Sequence, residues 1–425
     1  MAAMTAVLHL VWEYPPIIYG GLARHAEELA QAQYRAGHNV SVVTAAEDVL
    51  RAQRRVPAAF SVRDGVRIRR ARRPAPRRPW SDLLGAAAEL DRAMTAAALD
   101  EVAVQPPDIV HAHDWTAFRA GRAVATVRGL PFVVTVHATE YGRRLGRLEA
   151  ADGIPSAVHA VERAGVAEAD AVVVCSAAMR AEVCDVLGAD PAKVVVVPNA
   201  VDPAAWRCAP AVVRAARRRW IEQVDVPGPV TAPPPDAVLI AAAGRLEWDK
   251  GFSTLVRALP ALRVACGTVC AVLAGRGSDA PRLRDLAQEL EVTDILRLPG
   301  WLERRELAAL YAAADVVVVP SRYEPSGLVA REAQAAGTVV IATDSGGLPD
   351  AVTPGVTGLR IGVGDVDGLR HAVLRLVRAP QEARRMADAG SRAVSGWTWR
   401  DAAGAVDRVY QDALHRPTRR EPARV

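Results

Sequence analysis

Lysine is nearly missing from this 425-residue chain, which has only Lys193 and Lys250. Aromatic residues make up 5%, and no internal repeat is visible. No apolar run approaches the roughly eighteen residues that a membrane span requires. The first residues, MAAMTAVLHLVWEYPP, lack the basic region and cleavage site of a secretory signal, which predicts a cytoplasmic protein. The five cysteines, Cys175, Cys184, Cys208, Cys266 and Cys270, are odd in number and lack zinc-ligand spacing. They read as reduced thiols, most of them in apolar surroundings, with no metal and no disulfide.

What is present is apolar mass and arginine. Hydrophobic residues make up 51% of the chain, enough for two domains with separate cores. The formal net charge is +5, and its excess is local. Eleven arginines lie between Arg51 and Arg78 against the single acid Asp64, together with Pro57, Pro74 and Pro76. Without stacking aromatics the segment gives no support for nucleic acid. It reads as a solvated loop, with a contact to a phosphorylated acceptor, a glucan or a membrane face as the sharper alternative.

The stretch with the most chemistry runs from Asp315 to Gly337, DVVVVPSRYEPSGLVAREAQAAG. The apolar run Val316 to Val319 stops at Pro320, and a periodic segment from Leu328 to Ala336 ends at Gly337. A buried parallel strand, a loop and a capped helix should follow one another, with Ser326 as the N-cap. Glu324 then sits in the loop and Glu332 in the helix, at the carboxyl end of a strand, where open α/β sheets bind ligands.

Similar units occupy the rest of the chain. Thr5 to Trp12 reads as a strand, Leu22 to Arg35 as a helix and Asn39 to Thr44 as a strand, with Gly20 and Gly21 at the crossing. These glycines permit close backbone approach and positive φ before a helix N-terminus, a geometry suited to a diphosphate. Strands ending at His113 and Val136 lead into Asp114 and into His137-Ala138-Thr139-Glu140. His111 and His113 share one face of a strand and His137 belongs to another, so His111 reads as a packed core residue and no metal site is expected. Ser176 reads as a helix cap. Residues 208–236 lose periodicity and include PGPVTAPPPD, an extended linker. Beyond it, strands from Ala237 and Thr268 end at Gly244-Arg245-Leu246-Glu247-Trp248-Asp249-Lys250-Gly251 and at Gly275-Arg276-Gly277. Arg245 and Lys250 are placed to hold one pyrophosphate, and the glycine turn gives backbone against which a base or ribose can lie. Asp365-Val366-Asp367 precedes an amphipathic stretch and reads as a helix cap rather than a cation site.

The sequence EPSGLVARE, with GGLARH, PNAVDP and GRLEWDKG in that family's order, resembles the family-4 retaining glycosyltransferases. The resemblance covers about Val7 to Tyr410 and is nearest to actinobacterial glycogen synthase-like enzymes. It implies α/β architecture of GT-B type, two Rossmann-like domains facing across a cleft. The expected boundaries are an acceptor-side domain over residues 1–207, a linker over 208–236, a nucleotide-sugar domain over 237–395, and a tail helix over 396–425 crossing back to the first domain.

The activity implied is transfer of a hexosyl, most readily glucosyl, group from a nucleoside diphosphate sugar, with ADP- or UDP-glucose favoured. The acceptor hydroxyl is that of an α-1,4-glucan, and neither metal nor cofactor takes part. A small acceptor (a sugar phosphate, cyclitol or natural product), a nucleotide-sugar 2-epimerase and a silent binding protein are the alternatives. The family's pattern places Glu324, His137, Arg245 and Lys250 in the chemistry. It places Gly20, Gly21, Gly275, Gly277, Ser326, Gly327, Leu328 and Glu332 around the donor, and Asp114 and Glu140 on the acceptor side. Ile18 replaces a lysine of bacterial glycogen synthases, Ala200 replaces a glycine, and Ser326 stands where many relatives carry phenylalanine.

Overall fold

The structure, a computed structural model, describes residues 4–46, 58–73, 82–149, 153–222 and 237–415. The chain divides into two compact units, one formed by Met1–Asn199 with Trp399–Val425 and the other by Ala200–Thr398. Among the described residues no helix is long and apolar enough to cross a membrane, and all five cysteines are free.

The first unit is built on an eight-stranded sheet. Its strands are β1 (Ala6–Leu10), β2 (Asn39–Ala45), β3 (Phe60–Arg63), β4 (Val66–Ala71), β5 (Ile109–His113), β6 (Phe132–Val136), β7 (Ala171–Val174) and β8 (Val194–Val196). They lie in the order β3-β4-β2-β1-β5-β6-β7-β8, all parallel except the β3–β4 pair. Strands β5 and β6 are buried at every position, as expected where helices cover both faces of a parallel sheet. Chain order reverses between β1 and β5, the kind of switch point at which such sheets bind ligands. The helix Trp399–His415 belongs to this unit. His38 bonds Asp407 at 2.9 Å, and Tyr410 is fully buried.

The second unit carries a six-stranded parallel sheet. Its strands are β9 (Val238–Ala243), β10 (Val269–Ala274), β11 (Leu296–Gly300), β12 (Val316–Val319), β13 (Val340–Thr343) and β14 (Gly358–Ile361). The order β11-β10-β9-β12-β13-β14 puts the switch point between β9 and β12, in register at Val316 with Ile240 and Val317 with Ala241. Val316, Val317 and Val318 are at most 1% exposed, and burial of each contributes about 1.5–3 kcal/mol. Asp365 caps the helix Val366–Arg378 by accepting from Gly368 N at 2.8 Å. Ser176 caps the helix Ala177–Leu187 through Met179 N at 3.1 Å.

Two expectations are corrected here. Over the first part of 208–236, the helix Pro210–Glu222 replaces the extended linker and belongs to the second unit, where Trp220 and Ile221 join the core. The remainder of that segment, 223–236, lies outside the described residues. The second correction concerns the arginines. Residues 60–71 form the β3–β4 hairpin, and β4 pairs with β2, so this part is no solvated loop. Val66, Ile68 and Ala71 face inward while Arg67 and Arg69 give their Nε protons to Glu101, at 2.7 and 2.9 Å. Burial pushes the Glu101 carboxyl up, but these arginines and Ser41 outweigh it and hold it below the usual range. Arg70 donates to Pro15 O at 2.6 Å, Arg73 pairs with Glu89 and Arg63 with Glu27. The flanking residues 47–57 and 74–81 lie outside the described residues.

Candidate active site

In the second unit, the loops that leave β9 and β12 flank the switch point. Lys250 ends a single 3-10 turn, Trp248–Lys250, and Gly251 at φ 64° turns the chain toward the helix Ser253–Cys266. Glu324 lies in the β12 loop. The two side chains form an ion pair, Lys250 Nζ to Glu324 Oε2 at 2.9 Å, with Asp249 Oδ2 at 3.9 Å from the same nitrogen. Glu324 is 7% exposed, and its Oε1 accepts from Gly327 N at 3.3 Å. Burial alone would raise its pKa. The Lys250 charge and hydrogen bond, with the N–H groups of Gly327 and Ser326, prevail and keep it an anion below the usual carboxylate range.

Backbone contacts lock these loops together. Arg322 N and Tyr323 N donate to Asp249 O, Gly347 N donates to Glu324 O, and Leu246 N donates to Arg276 O. A Cβ on Gly275 would lie 1.8 Å from Gly244 O, one on Gly277 2.3 Å from Leu246 O, and one on Gly346 2.2 Å from Glu324 O. The side on which Gly275 or Gly277 would carry a Cβ is therefore filled by the neighbouring loop of this chain. The glycines let four backbone segments approach closely, and that fixes the carboxylate and the ammonium.

Other expected residues divide by environment. Arg245 is exposed, and its guanidinium has no hydrogen bond or ion pair among the described residues, so it is available to an anion. Glu332 is buried in the helix Leu328–Ala335. The Leu328 side chain lies in the hydrophobic core with Val319 and Ala330, leaving only its backbone for a ligand. Ser326 is not the N-cap. Gly327 occupies that position at φ 67°, and Ser326 Oγ accepts a long contact, 3.4 Å, from Leu328 N.

In the first unit, the loop after β1 is pinned by Glu13, whose Oε2 accepts from Tyr19 N at 2.5 Å, and by the stacking of Trp12 on Tyr19. Gly20 is extended, φ −170°, and neither it nor Gly21 has positive φ, contrary to expectation. The helix starts at Gly21 with no side-chain cap, so its first-turn N–H groups remain directed to an anion. After β5, Asp114 sits at φ 59°, ψ 167°, a strained conformation for a residue with a Cβ. Its Oδ1 accepts from His137 N at 2.7 Å, so it positions His137 directly. Glu140 accepts from Arg144 Nε at 2.9 Å.

Beneath Glu140 lies a residue that sequence reasoning missed. Glu162, 1% exposed, accepts from Glu140 N at 2.9 and 3.1 Å. Burial is the main cause that pushes its carboxyl up to about 8. The folded state therefore holds a proton that the unfolded state releases near the ordinary value of 4.5. Stability should fall as pH rises from about 4.5 to 8 and level off above. Glu162→Gln should flatten that slope and raise the melting temperature at pH 8.5, by about 2–4 kcal/mol in stability. Thermal melts of both proteins at pH 5.5 and 8.5 check this.

His137 belongs to a cluster that only the fold reveals. His9 of β1 is in register with His111 of β5, and the rings of His9, His25, His111, His113 and His137 stack or meet edge to face at centroid distances of 4.3–5.5 Å. Burial lowers all five below the ordinary histidine value, His9 and His25 to about 4, so the rings are neutral. Two triads, His9-His111-His113 and His25-His113-His137, bring ring nitrogens within 4.8 Å and have the donor set of a transition-metal site. Sequence reading treated His111 as a packed core residue and did not single out His9 or His25.

Comparison with known proteins follows this division. Residues 19–205 match the model described as glycosyltransferase family 4, and residues 229–393 that of glycosyl transferases group 1. The chain is 36% identical over 411 residues to a glycogen synthase of Mycobacterium tuberculosis, covering 95% of this chain and 94% of that one. It is 36% identical over 349 residues to a D-inositol 3-phosphate glycosyltransferase of Stackebrandtia nassauensis, covering 78% and 75%. The fold matches a sucrose-phosphate synthase structure from Thermosynechococcus elongatus with TM-score 0.80 and 23% identity, over 96% and 98% of the chains. The chain thus belongs to the family-4 glycosyltransferases and has the GT-B fold.

Proposed function

We propose that this glycosyltransferase moves a glucosyl group from ADP- or UDP-glucose to a hydroxyl of an α-1,4-glucan, with retention at the anomeric carbon and without a metal. The observation that carries the reading is the Lys250–Glu324 pair at the β9/β12 switch point. In this reading the enclosed cation of the pair meets the donor's phosphate and the enclosed anion its sugar. The near full-length likeness to a glycogen synthase supports the glucan.

In this mechanism the bond from the anomeric carbon to the diphosphate oxygen breaks as the acceptor oxygen bonds the same face, and the acceptor proton passes to the departing phosphate. Lys250 and Arg245 offset the charge that the diphosphate gains. One such donor contributes on the order of 3 kcal/mol to the barrier. Glu324, held ionised, accepts from donor hydroxyls and favours positive charge at the anomeric carbon. Glu332 holds the ribose hydroxyls, and His137 takes a sugar hydroxyl.

The likeness to an inositol phosphate glycosyltransferase favours a second reading, in which the acceptor is a small phosphorylated cyclitol. The test incubates the enzyme with ADP-, UDP- or GDP-glucose in EDTA, with maltooligosaccharide or with inositol 3-phosphate, and sizes the products. Lengthened oligosaccharide supports the glucan. Product with the cyclitol alone replaces that acceptor, and turnover only on added divalent cation overturns the metal-free mechanism.

A further inference from the structure

Four of the five histidines do more than pack. Starting at His137, Nε2 lies 3.2 Å from His113 Nδ1, and His113 Nε2 lies 3.0 Å from His9 Nδ1. His9 Nε2 is 2.8 Å from Gln33 Oε1, and Gln33 Nε2 is 3.2 Å from the Tyr410 hydroxyl. That hydroxyl is 2.6 Å from His111 Nδ1, and His111 Nε2 is 2.6 Å from Thr135 Oγ1. One unbroken line of hydrogen bonds thus joins His137 to the helix Trp399–His415 through residues of three other elements, β5, β1 and the helix Gly21–Arg35.

Each neutral imidazole has one donor and one acceptor, so protons in such a line must all point one way. Two polarities satisfy it. They differ in the orientation of the Gln33 amide, and choosing one for Gln33 chooses the tautomer of every ring. The short contact between Tyr410 and His111 decides between them, because a phenol donates to an imidazole nitrogen more strongly than it accepts from one. With Tyr410 donating to His111, its oxygen accepts from Gln33 Nε2. Gln33 Oε1 then accepts from His9 Nε2–H, His9 Nδ1 from His113 Nε2–H, and His113 Nδ1 from His137 Nε2–H. His137 Nδ1 has no hydrogen bond among the described residues.

We propose that Gln33 and Tyr410 are positioning residues that fix His137 as its Nε2–H tautomer, so that the Nδ1 lone pair faces the substrate as a hydrogen-bond acceptor for a sugar hydroxyl. This rests on the role given to His137 above. His25 lies outside the line. Its Nδ1 is 2.7 Å from Asn199 Oδ1 and its Nε2 is buried without a partner, so it packs its ring edge against His137 without setting its protons.

The test is nitrogen-15 NMR of the full chain labelled at histidine, with the His137 ring assigned by loss of its signals in His137→Gln. Wild type should show a protonated Nε2 and a bare Nδ1. Tyr410→Phe removes the preference for one amide orientation, and Gln33→Met removes the acceptor for His9. In both, the His137 signals should move toward the other tautomer and kcat should fall about tenfold, with KM for the donor changed less. Two variants are used because either buried substitution can impair folding, which a thermal melt detects. A protonated Nδ1 in wild type, or the wild-type tautomer kept in both folded variants, overturns the proposal. So does stoichiometric zinc, nickel or copper in the purified protein, since a cation would take the same lone pairs. The NMR result does not depend on turnover, so unchanged activity in His137→Gln would count against the sugar contact alone.

Discussion

Lys250→Met should cost the enzyme both stability and turnover, and the two losses should separate in a double variant. The substitution leaves the Glu324 carboxylate enclosed, with the N–H groups of Gly327 and Ser326 and the Ser321 hydroxyl, 3.5 Å away, in place of a cation. Removing one partner of a buried pair costs about 3–5 kcal/mol, because an uncompensated charge stays behind. Lys250→Met with Glu324→Gln removes both charges and keeps the hydrogen-bonding shape, so most of the stability should return. Turnover should not. Each single variant and the double should release nucleotide on the order of 10²–10³-fold more slowly than wild type. Chemical denaturation followed by a nucleotide-release assay reads both quantities, and a double variant that regains activity would remove the pair from the mechanism.

Gly275→Ala should be among the most damaging single substitutions in the second unit, although the residue touches no charged group. The position has φ 145°, and an added Cβ would sit 1.8 Å from the Gly244 carbonyl oxygen. Backbone at both sides is tied, Gly275 N to Gly300 O and Gly244 N to Ala274 O, so neither segment can withdraw cheaply. A loss of about 5 kcal/mol or failure to fold is expected, at the upper end for one substitution. Gly267→Ala is the control. It also has positive φ, 75° with ψ −56°, but its Cβ would meet nothing within 4 Å, so only the conformational cost of about 1–3 kcal/mol should appear. Equal melting temperatures for the two variants would contradict the close-approach account.

These cases show why the sequence disclosed some features and concealed others. The strands were legible because a parallel strand buried on both faces is a short apolar run, and VVVV before Pro320 or VLIAAA before Gly244 has few other readings. Such runs with glycine turns behind them pointed to two α/β domains, and the GT-B type was implied by the resemblance of EPSGLVARE and GRLEWDKG to the family. The β3–β4 hairpin escaped because VRIRRA alternates with arginine, whose charge hid a period of two. Its partner Glu101 lies more than thirty residues away in sequence. Residue identities at the candidate site were legible, but their pairings were not. Lys250 and Glu324 were each assigned to a ligand, while the fold pairs them across 74 positions. The histidine line depends on strand register and on a helix some 300 residues from β5, and no local spacing encodes either. Ser326 failed as a cap because the chain enters the helix through a left-handed glycine, Gly327, where an added Cβ would lie 3.0 Å from Ala351 Cβ and 3.3 Å from Gly347 O.

The most direct test of the central claim is nucleotide release from ADP- and UDP-glucose in EDTA, with and without maltooligosaccharide, in wild type and in folded Glu324→Ala. Glucan-dependent release in wild type that falls at least about a hundredfold in the variant is the predicted result. Release unchanged by the loss of Glu324 would contradict the account, because the carboxylate that the β9 and β12 loops enclose would then have no part in the transfer.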